Sequence, residues 1–216
     1  MASFFEAVSQ LLQQGGVSRA RTALVTLACV LTLVLASVNA VSAGAYMGRQ
    51  DALAAAFPDA AEVETRRFFL TDEQRQRVRD LSGSALEDGL VTVYLGRGRA
   101  PEPATAGEVR GYAYFETHNV RTVPETLLVV VDLDGRVGSV LMLAFYEPPE
   151  YEPPRRWLEQ FKGRRLDPTL RVRRGIHGIA GSSLSADAVT RGVRRTLALH
   201  QVLFGDPAPV ADKKGG

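Results

Sequence analysis

Ser182, Ser183 and Ser185 stand close together, directly after a turn built on Gly175, Gly178 and Gly181 and directly before a run with helical period. Three hydroxyls there matter because the first turn of a helix leaves backbone N–H groups unpaired and carries partial positive charge. Such an end suits a phosphate or another anion. The same residues also make an ordinary N-cap after a tight turn, since serine is a favoured cap and glycine a favoured turn residue. Both readings stand on these residues alone. Serine hydrolysis does not, because Gly181-Ser182-Ser183-Leu184-Ser185 lacks the second glycine of Gly-x-Ser-x-Gly and places no base.

Composition narrows the chemistry further. The only cysteine is Cys29, which excludes an internal disulfide, a Cys-x-x-Cys-His haem site and a thiolate metal cluster. Any redox work therefore needs another cofactor. His118, His177 and His200 are isolated and lack the i, i+4 pairing of helical metal ligands. A net charge of +2, with arginines spread along the chain, gives no basic footprint, so nucleic acid is not an expected partner. The length of 216 residues suits one well-buried domain with attachments.

The elements that position the serines come next. After Ser185, the side chains Val189, Val193, Leu197, His200 and Phe204 recur at three or four residues, while Arg191, Arg194 and Arg195 fall mostly elsewhere. This predicts an amphipathic helix ending at Gly205. Upstream, 126–133 and 136–145 flank Asp134-Gly135, a strong hairpin signal, and their near-continuous apolar runs predict strands covered on both faces. Further strands are expected over 62–70, 89–95 and 109–116, with a surface loop over 96–108. Helices are expected over 52–57, closed by Pro58, and over 72–81, opened by the capping-box spacing of Thr71 and Gln74. The fold class is α+β, an antiparallel sheet packed with helices.

Between the hairpin and the final turn lies Phe145-Tyr-Glu-Pro-Pro-Glu-Tyr-Glu-Pro-Pro154, a stiff connection because each proline fixes its own φ and restricts its predecessor. It carries Tyr146, Glu147, Glu150 and Tyr151 in extended geometry, either as a wall for a planar ligand or as a plain proline-rich loop. A short helix follows over 157–161, closed by Gly163.

The N-terminal part differs in character. Residues 1–21 form a segment whose 1–16 stretch has an apolar helical face, suited to a membrane surface or a partner. Residues 22–48 are uncharged, and a helix over 23–46 would span about 36 Å at ~1.5 Å per residue, enough to cross a bilayer. This is a transmembrane anchor or a signal peptide, the small residues around Ala40 and Ala43 suiting the second. With Arg19 and Arg21 before the run, the N-terminus is expected in the cytoplasm and the domain over 49–206 outside it, on a single pass through the cytoplasmic membrane. Residues 207–216 read as a disordered tail.

The order of these parts resembles the FMN-binding domain of the G subunit of Rnf-type electron-transport complexes and the C subunit of the sodium-pumping NADH:quinone oxidoreductase. Glu147-Pro148-Pro149 stands where that family has Glu-Thr-Pro-Gly. The 157–163 segment, Trp-Leu-Glu-Gln-Phe-Lys-Gly, resembles its Gln-Phe-x-Gly-Lys helix. His177-Gly-Ile-Ala180-Gly181-Ser182-Ser183 aligns with its Asp-x-x-Ser/Thr-Gly-Ala-Thr/Ser motif. The resemblance covers roughly residues 105–204 and implies a membrane-anchored domain outside the cytoplasm that binds FMN. Ser183 takes the position joined to the FMN phosphate by a flavin transferase, with Gly181, Ser182, Leu184 and Ser185 around the phosphate and Tyr146, Glu147 and Tyr151 near the ring. The implied partners are other subunits of a membrane redox complex, and the role is electron transfer within it. His177, Ala180 and Ser182 replace the family's Asp, Ser/Thr and Ala. That altered motif also suits a flavin-free scaffold subunit of the same kind of assembly.

Overall fold

The computed structural model describes residues 44–45, 47–86, 88–99, 107–120 and 122–205. The expectations for residues 1–21, for most of the apolar run 22–48 and for the tail 207–216 fall outside them. The chain divides after Ala43, and the second unit begins at Gly44. Its elements are β1 (Gly44–Ala45), α1 (Arg49–Ala56), β2 (Glu62–Phe69), α2 (Asp72–Ser82), β3 (Leu90–Arg97), β4 (Val109–Val120), β5 (Val123–Val131), β6 (Val137–Phe145), α3 (Arg155–Leu158) and α4 (Ser183–Phe204). A 3₁₀ turn over Pro149–Tyr151 precedes α3, and another over Glu159–Phe161 follows it.

All strand pairs are antiparallel, in the order β1-β6-β5-β4-β3-β2. This is the expected α+β class, built as a meander from β2 to β6. At one end of the sheet the short β1 pairs Gly44 with Phe145 and Ala45 with Ala144. The expected helix over 23–46 therefore does not run through Gly44 and Ala45, because their backbone is extended and committed to β6. Among the described residues, no helix is long and apolar enough to cross a membrane.

The apolar run of β5 is covered on both faces, as its sequence predicts. Leu127, Val129 and Val131 pack with Val189, Val193 and Leu197 of α4 in the main core. Leu128 and Val130 turn the other way, toward Ala52 and Phe57 at the α1 side. Burying aliphatic side chains of this size contributes roughly 1.5–3 kcal/mol each. The α4 helix is thus fixed along one sheet face, which sets where its N-terminus lies.

Local signals explain the element ends. Thr71 Oγ1 accepts from Gln74 N at 3.2 Å while Gln74 Oε1 accepts from Thr71 N at 3.0 Å, completing the capping box. Gly135 takes φ 72° in the β5–β6 turn, where an L side chain would be strained. Two strands are longer than expected: β4 runs to Val120 and β5 starts at Val123. Pro124 lacks an N–H and hides the start of β5 from a pattern reading, yet it pairs with Asn119. One expectation is corrected on α4. Arg194 falls off the apolar period but is 5 % exposed, because its guanidinium is consumed by four backbone carbonyls.

Candidate functional site

A cavity of about 130 Å³ opens at the start of α4, lined by Val120, Glu147, Tyr151 and residues 181–185. Ser183 is the first helical residue and is exposed, whereas Ser182 before it and Ser185 after it are buried. Ser182 does not cap the helix. Its Oγ donates to the Glu150 carbonyl at 3.3 Å, tying the proline-rich strap to the helix start, and among the described residues no side-chain cap bond forms. The first-turn N–H groups of α4 keep the unpaired character that favours an anion. Gly181 has φ 80°, and a Cβ built there would meet none of the described residues within 4 Å. Glycine is needed at this point for the turn rather than for crowding within the chain, and the space beside its backbone is open.

The loop leading to the cavity is held by its own peptide groups. Trp157 Nε1 donates to the His177 carbonyl at 2.7 Å, and His177 N donates to Gln160 Oε1 at 2.8 Å. Both ends of one residue's main chain are thereby clamped by the α3 segment. Arg164 Nη2 adds a bond to the Gly175 carbonyl at 2.8 Å, and Ile176 is buried in the main core. The His177 side chain is exposed. Its backbone, not its imidazole, contributes to the architecture.

Of the residues singled out by sequence, Glu147, Tyr151, Gly181, Ser182, Ser183, Leu184 and Ser185 line this one cavity. Tyr146 does not, and its ring is 44 % exposed just before Glu147. Sequence reasoning missed Val120, which the underestimated length of β4 concealed. It also placed Trp157 and Gln160 only in a short helix and in the motif resemblance, although a buried indole N–H usually finds an acceptor.

Just before Val120 on β4 lies a half-buried charged group around the buried Glu125. His118 Nε2 is 2.5 Å from Glu125 Oε1, its Nδ1 is 3.5 Å from Glu116 Oε1, and Arg195 of α4 pairs with Glu116. Burial acts to lower the His118 pKa, but the hydrogen bonds and charges of Glu116 and Glu125 outweigh it and the net shift is upward. The α4 helix comes this close because residue 192 is glycine: a Cβ there would meet Glu116 Cγ and His118 Cε1 at 3.1 Å. Among the described residues, no group of His, Cys, Asp or Glu side chains is arranged to hold a metal ion.

No family model matches the chain, and no curated protein matches it.

Proposed function

We propose that the protein is a membrane-anchored electron-transfer module working outside the cytoplasm, with FMN as its redox group and Ser183 as the residue that bears the FMN phosphate. One observation carries the reading. Segments separated in sequence share the lining of a single cavity, Glu147 and Tyr151 from one and residues 181–185 from the other, and the exposed Ser183 heads a 22-residue helix with no side-chain cap among the described residues. A phosphate on Ser183 would lie beside the first-turn N–H groups and the positive end of the helix dipole. FMN would supply the electron-transfer chemistry itself. The chain would supply attachment through Ser183, a turn kept open by Gly181, and a rigid seat through Ser182, Glu150, Trp157 and Gln160.

The cavity would take the phosphate end of the cofactor only. Its ~130 Å³ is below the roughly 300–1,000 Å³ of sites that enclose a whole small molecule, so the ring would lie outside it; of the residues expected near the ring, Glu147 and Tyr151 line the cavity itself and Tyr146 is the exposed one beside it. The same small volume, with His177 in the motif position of a carboxylate, favours the second reading: a flavin-free scaffold subunit that keeps the fold. Intact mass separates the two. The full chain produced with a flavin transferase in an exporting host should gain the mass of one FMN less one water, and Ser183→Ala should gain nothing. An unmodified wild-type mass would defeat the attachment.

A further inference from the structure

The β3 and β4 strands pair over Tyr94–Ala113 to Arg97–Val109 and then separate. Had the register continued, Thr92 would face Phe115 and Leu90 would face Thr117. Instead all four line one cleft of about 500 Å³, floored by Thr196 and Leu199 of α4. Among the described residues, β3 beyond Tyr94 is paired only with β2, and β4 beyond Ala113 only with β5.

The direction of the main-chain groups follows from bonds at the two ends of β3. The Gly89 carbonyl accepts from Leu70, and the Arg97 carbonyl from Ala61, so odd-numbered residues face β2. Gly98 N donates to the Glu108 carbonyl, so even-numbered residues face β4. Antiparallel alternation therefore turns the N–H and C=O of Leu90 and Thr92 into the cleft. A second observation points to the same place: the Thr196 hydroxyl, on a residue 1 % exposed, has no hydrogen-bond partner among the described residues. At the mouth, the cross-strand pair Phe69 and Leu90 is 82 % and 48 % exposed, an apolar step beside an unpaired strand edge.

We infer that this cleft binds an extended peptide segment of a partner protein by strand addition, pairing with Leu90 and Thr92 and placing apolar side chains against the Phe69–Leu90 step. Unpaired strand edges are templates for such pairing, with main-chain bonds supplying affinity and neighbouring pockets supplying selectivity. Arg49 and Arg195 are balanced by Asp88 and Glu116 on the lining, so the cleft favours a segment of low net charge in its centre. A planar small molecule is the competing occupant, and it would not need main-chain pairing. The inference is independent of the flavin reading.

The test uses the full chain and the peptide acetyl-Lys-Thr-Val-Thr-Val-Lys-amide, with a version N-methylated at alternate amides as the control. Hydrogen exchange at Leu90 and Thr92 should be fast in the free protein and slow at least tenfold with the first peptide, while the N-methylated one has no effect. Thr92→Pro should abolish the response and keep the fold, since it deletes only an N–H facing the cleft. Circular dichroism checks that fold, and Thr92→Ala, which keeps the N–H, should respond as wild type. Amides already protected in the free protein, no slowing with peptide, or equal binding of the N-methylated peptide would each overturn the inference.

Discussion

Arg194 joins three parts of the molecule through one guanidinium. Its Nε and Nη2 donate to the Ser82 and Leu81 carbonyls at 3.0 and 3.1 Å, closing the end of α2, and Nη1 reaches the Asp167 and Leu170 carbonyls at 2.8 and 3.3 Å. Arg194→Met keeps the stem and strands these carbonyls, so it should cost about 3 kcal/mol in urea unfolding, given ~1–3 kcal/mol per stranded buried group. Nothing in the 3.6-residue period could announce this, because the partners are carbonyls distant in sequence. The buried His200 and the half-buried His118 have opposite pH signatures. Burial alone pushes His200, 2.8 Å from the Tyr114 hydroxyl, down to about 4. Its unfolded form takes up a proton first, so stability complete above pH ~6.5 should fall on acidification by about 3 kcal/mol and level off near pH 4. The raised His118 acts the other way: its contribution is full below pH ~6.5 and is lost as pH rises through its folded value. His200→Gln should flatten the acid limb of a stability profile, and His118→Gln the alkaline limb.

At the scale of elements, what was legible in the sequence is what is local in the chain. The capping box of α2, the Asp134-Gly135 hairpin and the Gly163 and Gly205 stops all depend on neighbours within a few residues, and all form. Thr71→Ala should cost about 1 kcal/mol for the lost cap, read from thermal or urea unfolding. The helix start that bears Ser183 was legible, but the serine cap expected there does not form among the described residues, and the way the turn is held was not visible. Ser182 turns to Glu150, and the loop hangs on Trp157 and Gln160, contacts that cross 32, 20 and 17 residues. Trp157→Phe keeps a ring and deletes the N–H, so amide exchange across 175–181 should quicken while the core strands stay protected. A uniform loss of protection would show that Trp157 serves the core alone.

For the molecule as a whole, hydrophobic patterning indicated an antiparallel sheet with helices, because a run covered on both faces must be central. The split between β3 and β4 was not visible, since each strand is individually regular. The gathering of the strap and the 181–185 turn around one cavity joins segments that only the sheet and α4 bring together, and the resemblance alone had put them on a common ligand. The apolar run before Gly44 lies outside the described residues, so the anchor remains part of the proposal. The visible absorbance spectrum of the full chain, purified from an exporting host that supplies a flavin transferase, tests the central claim most directly. The proposal predicts flavin bands that survive denaturation and desalting and vanish in Ser183→Ala. A colourless wild-type protein that releases no flavin would contradict it and leave the scaffold reading.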